Sequence, residues 1–177
     1  MAVLLVIVFV QWERRVSDPM LDLGLFQSRI FSMGVSARFL SFLGMSASFF
    51  LMPFYLIQIL DYPASRAGLL MVPGSISLAI MGPLAGRLSD RIGTRWLAVA
   101  GLALSASAMV TFSRLDADST PLHVVLGMVL SGTGSGMFAS ANTSAIMSSL
   151  GRERYGIVAA LLSLTRTTAS VTGVATA

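Results

Sequence analysis

The 177 residues are 55% hydrophobic and only 11% charged, whereas soluble domains carry about 25% charged residues, so the composition is typical of an integral membrane protein. All twelve basic residues are arginine and most lie in short clusters between apolar runs, so the net charge of +4 does not indicate a nucleic-acid-binding surface. The sequence has no cysteine and one histidine, which excludes disulfides, thiol catalysis and cysteine-based metal sites; we expect no metal site and no cofactor.

The chain begins with a short apolar stretch, residues 1–11, which would extend only about 16 Å as a helix. A signal peptide is disfavoured because the stretch has no basic start and no cleavage site of small residues. We interpret it as part of a spanning helix that ends on the cytoplasmic side, with Trp12 at the membrane interface. Residues 17–26 alternate apolar and polar and predict a short interfacial segment.

Five longer apolar runs predict five complete membrane spans joined by short polar turns. Each is near or above the roughly 20 apolar residues that a helix needs to cross a bilayer. The fold class is therefore an all-α, polytopic transmembrane helix bundle, with Pro53 expected to kink the first complete span near its outer end. The predicted spans are 30–60, 67–85, 96–113, 122–150 and 155–177.

The arginine distribution predicts the orientation of these spans. Segments 12–29, 86–95 and 151–154 together hold eight arginines, whereas the two turns on the other side hold only Arg66 and Arg114. Arginine-rich short loops face the cytoplasm, so these three segments are predicted to be cytoplasmic.

The most distinctive of these segments is 86–95, a polar stretch between two charge-free runs. We interpret it as a tight cytoplasmic loop, in which glycines permit the turn and the carboxylate of Asp90 lies near the start of the next helix. We expect it to act in conformational gating. Its pattern, Gly-x-Leu-x-Asp-Arg-x-Gly-x-Arg, is formed by Gly86, Leu88, Asp90, Arg91, Gly93 and Arg95.

This pattern resembles the signature loop of the major facilitator superfamily of secondary transporters. Further matches are similar to the C-terminal half of its fourteen-helix drug–proton antiporter branch: Trp12-Glu13-Arg14-Arg15, Pro19-Met20-Leu21-Asp22-Leu23, Pro53-Phe54-Tyr55-Leu56, Thr165-Arg166 and Gly173-Val174-Ala175. The chain departs from the branch at Asp61, where glycine is usual, and at Pro63-Ala64, where Ser-Pro is usual.

The resemblance implies a partial major facilitator fold whose N-terminal half is missing from the chain. It also implies proton-coupled efflux of drugs or other hydrophobic or cationic compounds by alternating access in the full-length protein. The partners would be the lipid bilayer, a small-molecule substrate and the proton motive force, in the plasma or inner membrane. The alternatives are a nutrient or metabolite transporter and a non-transporting helical scaffold; nothing in the spans favours an enzyme.

Three polar residues inside the spans are candidates for a substrate path: Arg166, Arg38 and Asn142. Arg166 lies eleven residues into the last span, about 16 Å deep, where a cation is costly unless it faces protein, water or a carboxylate. It lines a central cavity, bonds to backbone carbonyls or extends to a membrane interface. Arg38 is shallower and either lines the same path or extends to the interface. Asn142 and the adjacent Thr143 would meet a substrate or another helix.

Gly132, Gly134 and Gly136 make a run of alternating glycines in the middle of the fourth complete span. They cannot all face one side of a helix, so neighbouring backbones can approach the helix closely on more than one face. The run serves either close helix packing or bending at a hinge. The spans contain no acid, and a proton-coupled transporter usually needs one inside the membrane.

Overall fold

Five long helices make up the part of the chain that the structure describes. The structure is a computed structural model that describes residues 23–149 and 155–177. All five helices are long and apolar enough to cross a membrane, as the sequence predicts. They are α1 (Arg29–Phe54, continued by a π-helical turn over Tyr55–Ile59), α2 (Ala64–Ile92), α3 (Thr94–Phe112), α4 (Pro121–Ser148) and α5 (Tyr155–Ala175), preceded by a 3₁₀ turn over Leu23–Gln27.

Several of the predicted segments lie wholly or partly outside the described residues. They are the partial span over 1–11, the arginine-rich turn over 151–154, the last residue of the span 122–150, and most of the cytoplasmic segment 12–29 with the interfacial stretch 17–26 that it contains. The end of that interfacial stretch coincides with the 3₁₀ turn, where Leu25 is buried in an apolar cluster with Phe31 and Leu161.

Helix α4 is the centre of the described bundle. Helices α2 and α3 pack along its length, whereas α1 packs mainly against α5 and touches α4 over a shorter stretch. The structure buries 56% of the most apolar window of α4, against 28% or less for the other spans. Small residues allow this burial, because they let neighbouring backbones approach closely.

The alternating glycines of α4 face two different neighbours. Successive helical residues are rotated by about 100°, so Gly132 and Gly136 share one side and Gly134 lies almost opposite. A β-carbon on Gly132 would overlap the backbone of Gly74 on α2, and one on Gly134 would lie 2.6 Å from the carbonyl oxygen of Gly101 on α3. Helix α4 is continuous through the run, so in this conformation the glycines pack against both helices.

The outer end of α1 is irregular, as its proline suggests. Pro53 has no N–H to donate, and the helix changes to π-helical hydrogen bonding from Tyr55. The turn that follows places Asp61 at φ 52°, in the left-handed region that favours glycine. This explains why the branch that the sequence resembles usually has glycine there. The hydroxyl of Tyr55 donates to the carbonyl of Asp116 at 2.7 Å and so ties α1 to the α3–α4 turn.

The prediction that 86–95 forms a ten-residue loop is wrong. Helix α2 continues to Ile92 and α3 begins at Thr94, so the turn is Gly93 alone, at φ 87°. Gly86 lies within α2, and the chain turns only at Gly93, the described glycine with a positive φ. Polar residues can continue a helix into the headgroup region, so the polarity of the segment does not by itself indicate a loop.

Candidate functional site

Arg38 lies on the side of α1 that faces α4, and its side chain extends to α4. Its Nη1 donates to the hydroxyl of Thr143 at 3.0 Å, and that hydroxyl donates to the carbonyl of Ala139 at 2.8 Å. The guanidinium carbon lies 5.3 Å from the centroid of the Phe42 ring, one helical turn along α1. The Nε atom of Arg38 is buried and has no hydrogen-bond partner among the described residues. Arg38 is thus oriented by a hydroxyl and a ring, and none of these contacts neutralises its charge.

Asn142 is next to Thr143 on α4 but has a different role in this conformation. It is only 5% exposed, and its Nδ2 donates to the carbonyl oxygen of Gly34 on α1 at 2.9 Å. A bond between an amide side chain and a backbone carbonyl is a common way to join helices within a membrane. Asn142 therefore fixes α1 against α4 immediately beside Arg38, and it is not open to a cavity.

Arg166 lies on α5 and is exposed on the surface of the described bundle. It lines a cavity of about 320 Å³ between α1 and α5, whose other lining residues are Phe42, Met45, Ser46, Thr167, Ser170 and Val171. No hydrogen bond or ion pair joins its guanidinium to another of the residues in 23–149 and 155–177. At the back of the cavity, the hydroxyl of Ser46 donates to that of Ser170 at 3.0 Å.

The two span arginines share a neighbouring side chain. Phe42 connects them, since its ring contacts Arg38 and also lines the cavity of Arg166. Neither arginine is paired with an acid among the described residues, whose carboxylates all lie in turns or at helix ends. The site is therefore a cationic, partly apolar cleft between α1 and α5.

Sequence reasoning missed three of the residues that shape this cleft: Phe42, Ser46 and Ser170. The signal was present, because Arg38, Phe42 and Ser46 recur every four residues on one face of α1, and Arg166 and Ser170 do the same on α5. Without the contact between the two helices, however, such spacing does not separate a polar cleft from ordinary helix packing.

A second cavity, of about 360 Å³, lies between α1, α3 and α4. Its lining is mostly apolar, with hydroxyls from Ser41, Ser105, Ser131 and Ser135. The Oγ of Ser105 is buried without a hydrogen-bond partner among the described residues, and it packs against Gly134. None of the predicted path residues lines this cavity, whereas Arg166 lines the cleft between α1 and α5.

The signature residues lie at the cytoplasmic end predicted for α2 and α3. The hydroxyl of Ser89, 5% exposed, donates to the carbonyl of Gly86 at 2.7 Å. Asp90 is exposed in the last turn of α2, and no hydrogen bond or ion pair joins it to another described residue. The expected contact of Asp90 with the start of the next helix is thus not formed in this conformation. A helix dipole disfavours a carboxylate in the last turn of a helix, so Asp90 does not stabilise α2. The presence of an aspartate at this position therefore needs another explanation.

Comparison with known families decides what kind of protein carries this bundle. The family model described as Major Facilitator Superfamily matches residues 4–174. The chain belongs to the major facilitator superfamily. Family membership identifies the five apolar helices as membrane spans and places the chain in a multi-pass integral membrane family of transporters, not of enzymes.

Three relatives show how much of a transporter the chain represents. An uncharacterized transporter of Escherichia coli K12, YebQ, is 29% identical over 96% of this chain and 37% of its own length. The multidrug resistance protein Stp of Mycobacterium tuberculosis is 30% identical over 94% of this chain and 31% of its own. The riboflavin transporter RibZ of Clostridioides difficile is 28% identical over 92% and 36%. The chain thus spans about a third of the length of these relatives.

Proposed function

We propose that this chain forms part of a secondary transporter that exports drugs or other hydrophobic or cationic compounds in exchange for protons, by alternating access. The observation that carries the proposal is the similarity to a multidrug resistance protein over 94% of the chain. Lincomycin resistance proteins of two Listeria species, each 30% identical over 67% of this chain, support the same substrate class.

The remaining helices of the transporter would come from outside this chain. Alternating access needs two helix bundles that rock about a shared site, and the five described spans supply one incomplete bundle. The carboxylate that carries the proton would also lie outside, since no acid occupies the interior of a described span. We place the protein in the plasma or inner membrane, with 86–95 on the cytoplasmic side.

Within this transporter, we assign gating to the signature residues and a place on the substrate path to the arginines. Asp90 makes no hydrogen bond or ion pair to another described residue in this conformation and is available to bind a partner in another one. Arg166 lines the cleft between α1 and α5, and Arg38 contacts Phe42, which lines the same cleft. The glycines of α4 would allow α2 and α3 to slide along it when the bundle opens.

The second candidate function is uptake or efflux of a nutrient or metabolite. The similarity to a riboflavin transporter over 92% of the chain favours it. Drug resistance proteins and a vitamin transporter thus match the same helices at nearly equal identity, so a transport assay has to separate the two functions.

Everted membrane vesicles that contain the full-length transporter separate these functions. We expect an imposed proton gradient to drive uptake of ethidium, a hydrophobic cationic dye, and an uncoupler to abolish it. Riboflavin in the same vesicles is the comparison. Gradient-driven movement of riboflavin but not of the dye, or of neither compound, would overturn drug efflux as the function.

A further inference from the structure

We propose that a further membrane-spanning helix of the full-length transporter, from outside residues 1–177, packs into the cavity between α1, α3 and α4. We call this cavity the serine groove, after Ser41, Ser105, Ser131 and Ser135, which line it. The inference rests on the proposed function only in that the full-length protein carries more helices than this chain. It does not depend on the substrate.

The first argument is that the hydroxyls of the serine groove have no partner. A serine or threonine inside a helix commonly donates to the carbonyl three or four residues before it. Ser48, Ser77 and Thr111 do so in this bundle, at 2.8–3.0 Å. None of the four groove hydroxyls makes a hydrogen bond to a residue in the described ranges. Four hydroxyls that converge on one cavity are therefore left to bind something else.

The second argument is the burial of two of these serines. Ser131 is 1% exposed and Ser135 is 7% exposed, and both line the groove from α4. A buried polar group without a hydrogen-bond partner is costly, and the hydrocarbon of a bilayer supplies neither donors nor acceptors. An occupant with hydrogen-bonding groups of its own would remove this cost, whereas a lipid tail would not.

The third argument is the shape of the groove. Its α1 wall extends from Ala37 to Met45, about 12 Å along the helix axis. The wall is low at Gly44, where a β-carbon would meet no atom within 4 Å. Small residues of this kind let the backbone of another helix approach closely. Leu40 and Leu102 also line the groove and are 67% and 40% exposed, so it opens on the surface of the described bundle.

The length of the relatives supplies the occupant. The chain spans about a third of YebQ, Stp and RibZ, so most of a full-length transporter of this kind lies outside it. A helix with hydroxyl or amide side chains on one face would satisfy the groove serines across the contact. Two such contacts already join helices here, from Asn142 to Gly34 and from Ser46 to Ser170.

Spin labels in the full-length transporter test whether the serine groove is covered. Ala106 lines the groove, whereas Ser107 is rotated by about 100° and does not line it; both are exposed in the described bundle. Ala106→Cys and Ser107→Cys, each as the single cysteine, carry a nitroxide in nanodiscs that hold one copy of the protein. We expect molecular oxygen, which concentrates in the bilayer, to collide severalfold less often with the label of Ala106→Cys. Equal collision rates would overturn the proposal.

Crosslinking in the same nanodiscs identifies what covers the groove. A second cysteine is moved along each helix outside residues 1–177, and a short bismaleimide joins cysteines that lie close together. We expect Ala106→Cys to crosslink to positions three or four residues apart on one helix, and Ser107→Cys to crosslink to none of them. Leu102→Cys, also in the groove, replaces Ala106→Cys if that variant fails to fold.

Two results would overturn the proposal at this stage. One is a label that is shielded without any such crosslink, as a bound lipid or small molecule would produce. The other is a crosslink that forms only when two copies share a nanodisc. Neither measurement needs a substrate, so the expected crosslinks in a protein without gradient-driven dye movement would reject the proposed function alone. Dye movement without the crosslinks would reject this inference alone.

Discussion

Gly132 on α4 and Gly74 on α2 lie so close that a β-carbon on Gly132 would overlap the carbonyl oxygen of Gly74. This contact, with that of Gly134 against Gly101 on α3, lets α4 occupy the centre of the described bundle. Packing between backbones is a main source of helix association in membranes, where the hydrophobic effect does not drive helices together.

We expect Gly132→Ala to destabilise the protein by about 1–3 kcal/mol, because the added methyl group has to push α2 away from α4. The matched control is Gly68→Ala on α2, where a β-carbon would meet no atom within 4 Å. Thermal denaturation of the purified variants in detergent measures the difference. Equal melting temperatures for both variants would show that the contact between Gly132 and Gly74 is not tight in the membrane protein.

The turn after α1 offers a second stability test, since Asp61 has a positive φ of 52°. Asp61→Val should cost about 1–2 kcal/mol, because a β-branched residue is poorly tolerated in the left-handed region. Asp61→Gly should keep or slightly raise stability, because glycine adopts this conformation without steric strain. Equal melting temperatures for the valine and glycine variants would contradict the positive φ.

The orientation follows from the arginine count and is open to direct labelling. The chain has no cysteine, so each introduced cysteine is the single site of reaction within these residues. Arg91→Cys should react with a membrane-impermeant maleimide only from the cytoplasmic side, and Ser65→Cys and Ala117→Cys only from outside; all three positions are exposed. Labelling of Arg91→Cys and Ser65→Cys from the same side would contradict the predicted span between them.

The gating role of the signature segment depends on Asp90. We expect Asp90→Asn to reduce gradient-driven transport by about tenfold, the effect of removing about 1.4 kcal/mol of bias between two conformations. Stability should change by less than about 0.5 kcal/mol, because Asp90 is exposed and without contacts to the described residues. The control is Asp118→Asn in the outer turn. Unchanged transport in the Asp90 variant would leave the segment as a topology signal only.

The number of membrane-spanning helices could be predicted from the sequence, because the length and hydropathy of an apolar run decide whether it can cross a bilayer. Long apolar runs, three without charge and two with a single arginine, cross the bilayer as helices, and the arginines between the runs mark the ends. The helical continuation of α2 through Leu88 to Ile92 was not predicted, since the polar residues and the two glycines of the segment indicated a loop. Gly86 continues the helix and only Gly93, with its positive φ, ends it, and the sequence alone does not distinguish the two.

The candidate site was predictable only as separate residues. The cost of burying a charge singled out Arg38 and Arg166 from the sequence, but the cleft beside Arg166 depends on how α1 packs on α5. The bond between Asn142 and Gly34 joins positions 108 residues apart, and local patterns do not predict such pairs. Of the two alternatives predicted for Asn142, a substrate or another helix, this conformation shows the helix contact, and the structure adds Phe42, Ser46 and Ser170 to the cleft.

The central claim is that these five spans work as one part of a proton-driven transporter. The most direct measurement reconstitutes two proteins in parallel in proteoliposomes, the full-length transporter and residues 1–177 alone, and follows ethidium under an imposed proton gradient. We expect gradient-dependent movement with the full-length protein and none with residues 1–177, because alternating access needs a second bundle. Gradient-dependent movement by residues 1–177 alone, or none by the full-length protein, would contradict the claim.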